Sequence, residues 1–516
     1  MAELSAVELE VVRHALAGVA DEMGIALRRA AYSPNIKERA DCSAAVFAPD
    51  GQMVAQAEHI PVHLGAMPES VRSVLSVFGP LKPGDQVCVN DPYLGGTHLP
   101  DLTIVSAVGY GDRLLGYVAN RAHHADVGGA APGSMPASAT EIAMEGVRIP
   151  PVRVADAHRE YTDVVQLIAA NSRTPEERMG DLRAQFAANY VGARRLRELT
   201  NRMGSQLVND AMAAVCDYSD RRVRAAVREI PDGRYSSEDV LEIGDGVPIR
   251  AMVEVNGDEI AVDFTGTAEQ IPVNCNAVFA VTLSATMFVF RMLTDPHAPP
   301  NAGCYRALRV SAPEGTVVNP VFPAPTAAGN VETSQRIVDV LLAAFAQAMP
   351  EKVPAASQGT MNNLLIGSAN PPFNYYETLG GGEGATPLRD GMSGVHTGMT
   401  NTQNTPAEAM ELDYPLRIWR YELRRNSGGG GRYRGGEGLV REVEALADCT
   451  LTIQSERRTT APWGAHGGCS GAAGRNLLIR RDGSEEVLPS KSTRQLAAGE
   501  RVRIETPGGG GWGSSG

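Results

Sequence analysis

The sequence predicts a mixed α+β protein, with antiparallel sheets packed by helices and a glycine-rich, mainly β C-terminal region. Three observations predict it. Apolar residues recur at three- and four-residue spacing over residues 5–31 and 174–227, the period of a partly buried helix. Short alternating runs flank Asp50-Gly51 and Asn256-Gly257, the dipeptides that favour tight hairpin turns. The 55 glycines gather in runs such as 428–431 and 508–511, which suit elaborate loops and close backbone approach. A chain of 516 residues outgrows a single core. Three packed regions are expected: 1–230, carrying a helical hairpin; 231–375, an α/β middle; and 376–516, dominated by β structure.

In chain order, the first helix opens at Ser5, and Glu8 three residues later completes a capping box. Residues 43–55 read as two short strands about the Asp50-Gly51 turn, followed by strands at 85–89, 103–108 and 114–119, the last two meeting near Gly111-Asp112. Thr174-Pro175-Glu176-Glu177 has the form of a helix start with proline in the first turn, opening a long helical hairpin to 227. An antiparallel sheet is expected over 233–266, then helices at 278–293 and 334–349 whose apolar residues are too dense for a surface element. Strands at 439–445, 449–456 and 476–481 close the chain, and no repeat of solenoid period is present.

The net charge of −13 argues against nucleic acid or an anionic membrane as partner, since both call for a concentrated basic field. The arginines at 417–425 are interrupted by Glu422 and read as a solvated face or a subunit contact. Seven scattered cysteines without a C-x-x-C spacing fit a reducing cytosol and no disulfide framework. The N-terminus lacks the basic-then-apolar order of a signal peptide, and no uninterrupted apolar stretch reaches about 18 residues. A soluble, cytoplasmic protein is expected. No G-x-x-x-x-G-K-[ST] or G-x-S-x-G motif occurs, which disfavours a P-loop nucleotide site and an α/β-type serine hydrolase.

Candidate ligands concentrate in Asn90-Asp-Pro-Tyr-Leu-Gly-Gly-Thr-His-Leu-Pro-Asp101 and, across a predicted hairpin, Asn120-Arg-Ala-His-His-Ala-Asp126. His98 precedes the first strand and His123 follows the second, so their imidazoles can meet, with Asp101 three residues beyond His98. Two nitrogens and a carboxylate without a thiolate suit Zn²⁺, Mn²⁺ or Fe²⁺ in an open site rather than a closed structural zinc. The alternative is that these are polar loop residues satisfied by backbone carbonyls. His124 and Asp126 are candidates for supporting the ligands, and Asp41 could reach the same centre from another segment. His59 and His63 are spaced for ligation only on a helix, which Pro61 between them opposes; they read as a pocket wall. The glycine runs read as packing loops.

These segments, together with Ile36-Lys-Glu-Arg-Ala-Asp-Cys-Ser, His59-Ile-Pro-Val-His-Leu-Gly-Ala-Met, Asn330-Val-Glu-Thr-Ser-Gln-Arg, Thr400-Asn-Thr-Gln-Asn-Thr-Pro-Ala-Glu and Pro507-Gly-Gly-Gly-Gly-Trp-Gly, resemble the hydantoinase B/oxoprolinase family over essentially the whole chain. That family includes the B subunits of N-methylhydantoinase and caprolactamase and related subunits of acetone and acetophenone carboxylases. The resemblance implies a division of labour: a separate A-type subunit of actin-like ATPase fold phosphorylates a small cyclic amide, and this chain completes hydrolysis at a divalent metal, the two forming an α2β2 heterotetramer. It implies Asp41, His98, Asp101 and His123 as ligands, ATP use through the partner, and His124 or Asp126 as general base. A carboxylase subunit and a non-catalytic assembly subunit are the competing readings.

Overall fold

Alternation along a strand sends successive side chains to opposite faces, and in the N-terminal sheet both faces are covered. The computed structural model describes residues 5–58, 60–111, 113–156 and 159–514; His59 and Asp112, both singled out from the sequence, lie outside the described residues. Strands β1 (Cys42–Phe47), β2 (Met53–Glu58), β3 (Gln86–Val89), β4 (Asp101–Tyr110), β5 (Arg113–His123), β6 (Val152–Asp156) and β7 (Arg159–Glu160) form one sheet. Their order is β2-β1-β5-β4-β3-β6-β7. Helices α1 (Ala6–Ala30), α2 (Pro34–Lys37), α3 (His63–Phe78), α4 (Thr162–Ala170), α5 (Pro175–Met203) and α6 (Ser205–Val227) surround it.

Ala44, Val46 and Val118 pack with Val12, Leu16, Ala193 and Met212 from α1, α5 and α6. Their neighbours Ala45, Phe47, Tyr117 and Ala119 pack on the opposite face with Met67, Val71 and Val74 of α3. This parity fixes which side each residue at a strand end will face.

The Ser5–Glu8 capping box forms as expected, and the hairpin of α5 and α6 turns at Gly204, whose φ is +86°. Thr174 makes no side-chain cap, although Pro175 begins the helix and Glu176 and Glu177 occupy its first turn. The expectation that Pro61 keeps His63 out of a helix is corrected: Pro61 lies before the helix and His63 is its first residue, a position where the proline ring meets no preceding turn.

Strands β8 (Gly233–Leu241), β9 (Val247–Asn256), β10 (Glu259–Asp263) and β11 (Leu308–Ser311) form a second sheet. It shares a core with α7 (Phe279–Leu293) and α8 (Ser334–Ala348). Toward the C-terminus a sheet with Asn363–Ala369 and Cys449–Gln454 at its centre packs on another with Gly438–Ala445 and Arg501–Glu505 at its centre. The glycine runs stack backbone on backbone: Gly509 N–H donates to Gly436 O at 2.9 Å, and a Cβ on Gly435 would lie 1.9 Å from Gly509 O. Among the described residues no helix is long and apolar enough to cross a membrane. The cysteines of the structure are free, all but Cys469 buried.

Candidate metal centre

Asp101 begins β4 and stands directly opposite His123 at the end of β5. Both have the parity of the α3 face, and His98 joins them from the turn before β4. His98 Nε2 lies 3.1 Å from His123 Nδ1 and 3.4 Å from Asp101 Oδ1, which is 3.3 Å from His123 Nδ1. Ligand-capable atoms of these three buried residues all fall within 4.8 Å of one another. His63 faces the group from the start of α3: its Nε2 is 3.7 Å from Asp101 Oδ2 and its Nδ1 is 2.9 Å from Ser43 Oγ. Ser43 has the same parity on β1.

Each ligand candidate is held from behind. Thr97 Oγ1 donates to Asp101 Oδ2, and His98 Nδ1 is 3.3 Å from Ala327 O, which leaves Nε2 aimed at the cluster. His123 stacks on Tyr376 at 4.7 Å and 17°, and the Arg39 guanidinium lies 4.8 Å from the same tyrosine ring. The Asp101 carboxyl is pushed up by burial, but the surrounding His98, His123 and His63 outweigh this and hold it well below the usual carboxylate range. Burial pushes the His123 imidazole down, with Asp101 opposing, so neutral His123 and ionised Asp101 are the favoured forms near neutrality. These are the forms in which nitrogen and oxygen donate to a cation. His123 Nδ1 is the ring nitrogen set against His98 and Asp101, and its Nε2 is buried without a hydrogen-bond partner.

Asp41, His63, His98, Asp101 and His123 line one cavity of about 20 Å³, closed by Asn330, Tyr376, Thr378, Thr400 and Thr402. That volume holds a water or an ion and no organic ring. Asp41 is on the wall, and its carbonyl accepts from His123 N–H at 3.0 Å, but its carboxylate is outside the compact three-residue group.

His124 and Asp126, the expected proton carriers, are not brought to the cluster. Position 124 has the opposite parity, so His124 turns to α5 and pairs with Gln185 Oε1 at 2.9 Å, where burial pushes its imidazole down to about 4. Asp126 is used up in its own turn, accepting from Gly128, Gly133 and Arg173 backbone N–H groups and from the Arg173 guanidinium. His63, which its sequence context makes a wall residue, takes their place beside Asp101; the sequence signal is present in the His59-to-His63 spacing, and the helix start supplies the orientation. Tyr376 and Thr378 carry no local signal, whereas Thr400 and Thr402 lie in one of the segments that carry the family resemblance.

A family model described as Hydantoinase B/oxoprolinase matches residues 5–515. An uncharacterized protein of Methanocaldococcus jannaschii is 43% identical over 98% of this chain and 90% of its own length. The 5-oxoprolinase 1 of Arabidopsis thaliana is 39% identical over 99% of this chain, which spans only 42% of that protein's length. Among solved structures, the ATP-dependent caprolactamase of Pseudomonas jessenii superposes with a TM-score of 0.93 at 32% identity, covering 99% of this chain and 91% of the other. A nucleotide-free acetone carboxylase shares the fold, with a TM-score of 0.88 at 19% identity over 98% of this chain and 75% of the other. The family match over nearly the whole length, reached independently by sequence and by fold, establishes that this chain belongs to the hydantoinase B/oxoprolinase family.

Proposed function

We propose that this chain is the metal-binding subunit of a cytoplasmic ATP-dependent cyclic amide hydrolase, acting on a substrate that an A-type ATPase partner has phosphorylated. The observation that carries the proposal is the buried His98, Asp101 and His123 group, converging within 4.8 Å on one small cavity. Its relatives include proteins named 5-oxoprolinase, a Pseudomonas protein named for a D-/L-hydantoinase and an ATP-dependent caprolactamase, which supports a lactam or hydantoin ring as substrate. The P-loop motif is absent from the sequence, in keeping with ATP handled on another polypeptide in an α2β2 assembly.

His98, Asp101 and His123 would hold a divalent ion, zinc, manganese or iron, with Asp41 closing in as a further ligand. Such an ion supplies Lewis-acid polarisation of an acyl or phosphoryl oxygen and acidifies water. His63 then moves the proton: Ser43 fixes Nδ1, and Nε2 points at the cluster. Thr378, Thr400, Thr402 and Asn330 offer hydroxyl and amide groups to orient the reacting amide. The ring itself needs a larger space. A cavity of about 350 Å³ lies behind the same wall, lined by Pro61, Leu64, Phe288, Met292 and Asn401; Pro61 and Leu64 flank the turn that carries His63, and Asn401 sits between Thr400 and Thr402.

Co-expression with an A-type partner, and ATP-dependent turnover of hydantoin, 5-oxoproline and caprolactam with and without bicarbonate, tests the proposal. Ring opening that ignores bicarbonate is expected, and carboxylated product would point to a carboxylase instead. His98→Ala should abolish both stoichiometric metal and ring opening while the partner still binds ATP; a fully active variant sinks the assignment.

A further inference from the structure

We propose that Glu145 is a positioning residue that holds His98 in its ligating orientation through the Ala327 peptide; the inference rests on the metal-centre reading above. Glu145 is fully buried and follows the short 3₁₀ turn Ile142–Met144. Its Oε1 accepts from the backbone N–H groups of both Thr326 and Ala327 at 3.0 Å. The same Ala327 presents its carbonyl to His98 Nδ1 at 3.3 Å. One peptide segment is thus held on its N–H side by Glu145 and holds His98 on its carbonyl side. A hydrogen bond to the rear nitrogen of a ligating histidine fixes its tautomer and ring angle, and here the group that makes the bond is itself fixed by a carboxyl.

The 142–147 segment is also joined to the other histidine. Ala130 N–H donates to Met144 O at 2.8 Å and Val147 N–H to Val127 O at 2.9 Å, tying it to the stretch that follows His123. Gly129, with φ of +85°, makes that approach feasible: a Cβ there would lie 2.6 Å from Met144 O and 2.7 Å from Glu145 C. Glu145 therefore couples the segment after His123 to the segment behind His98. A further link runs forward, because Ala327 opens the helical stretch that delivers Asn330 and Val331 to the cavity wall.

A rival role is plain capping, since Thr326 and Ala327 stand at the start of that stretch and such N–H groups require an acceptor. Capping alone predicts lost stability with an unchanged metal site. Burial pushes the Glu145 carboxyl up to about 8 against these N–H bonds. The neutral acid still accepts through its carbonyl oxygen, as a glutamine amide would, so the position requires an acceptor rather than a charge.

The test is Co(II) titration of the full chain, following the d–d absorption bands alongside thermal melting, for wild type, Glu145→Met and Glu145→Gln. Glu145→Met keeps the length without an acceptor and is expected to weaken Co(II) binding by about 10- to 100-fold and to shift the bands. Glu145→Gln should restore wild-type affinity and spectrum. Wild-type Co(II) affinity and bands in a folded Glu145→Met chain, even one of lowered melting temperature, would overturn the positioning role. Should Glu145→Met fail to fold, Glu145→Asp, too short to reach both N–H groups, is read in the same way; failure of both to fold assigns the residue to the scaffold and also overturns the proposal. A wild-type chain that binds no Co(II) would instead defeat the metal-centre reading on which it rests.

Discussion

Gly329→Ala should destabilise the chain far more than an ordinary glycine-to-alanine change, because this glycine sits where two backbones touch. A Cβ on Gly329 would lie 1.9 Å from Asn276 O and 2.3 Å from Asn276 C. Reaching the ordinary contact of 3.4 Å requires the two segments to separate by about 1.5 Å. Neither can yield cheaply. Gly329 N–H donates to Asn274 O at 2.9 Å, and the Asn276 side-chain amide is bound at 2.9 Å to the carbonyls of Ile271, Val273 and Pro325. Overpacking of a tight core costs about 1–3 kcal/mol, and disturbing buried hydrogen bonds adds about 1 kcal/mol each. A loss of about 3–5 kcal/mol is expected, a large share of the roughly 5–15 kcal/mol that holds typical domains together. Gly18→Ala is the control of opposite sign: its Cβ meets nothing within 4 Å in the interior of α1, so it should stabilise by about 0.5–1 kcal/mol through helix propensity. Urea unfolding followed by far-UV circular dichroism reads both. A Gly329→Ala chain that unfolds at the wild-type urea concentration would refute the close-contact argument.

His63→Ala should leave stoichiometric metal in place while lowering turnover by about 10²- to 10⁴-fold, the range for a lost proton carrier; loss of the metal in this variant would make His63 a ligand instead. Arg441 and Glu377 form a buried bidentate pair at 3.0 and 3.2 Å, with Tyr375 donating to the same carboxylate at 2.9 Å. Arg441→Met alone should cost about 3–5 kcal/mol by stranding a buried charge, while adding Glu377→Leu should recover most of it; a double-mutant cycle in urea showing simple additivity would contradict this. Glu145 gives a pH dependence of defined sign. Its carboxyl is raised from 4.5 to about 8 in the folded state, so between these values the folded chain holds a proton that the unfolded chain has released. Its contribution is full below about pH 4.5 and is lost as pH rises through 8, with a span of order 5 kcal/mol as an upper bound. Glu145→Gln should flatten that slope in pH-resolved melting curves, and an unchanged slope would mean another group carries it.

Much of the fold was legible because its signals are local. The capping box at Ser5 and Glu8, the turns at Asp50-Gly51 and Asn256-Gly257, and the helices ending near Leu293 and Ala348 follow from spacings of a few residues. Elements whose signals are weak on one strand alone were missed, among them α4, the hairpin of Asn363–Ala369 with Pro372–Thr378 and the strand Leu416–Arg424. In each of these, neighbouring segments rather than internal periodicity settle the structure.

The site divides along the same line. Two histidines and an aspartate near the ends of paired strands could be named from the sequence as one group, and so could the family they resemble. The side each residue faces could not, because strand parity is set by long-range pairing and a shift of one residue reverses it. That is why His123 enters the cavity and His124, one residue later, turns away to Gln185. Contacts spanning most of the chain were likewise invisible: Tyr376 stacks on His123, and Glu145 reaches Ala327 behind His98. The sequence by itself determined the local elements and the grouping of His98, Asp101 and His123 as candidate ligands, since both reside in neighbouring residues. Only the tertiary structure decided which side chains share the cavity, because that depends on how distant segments close upon one another.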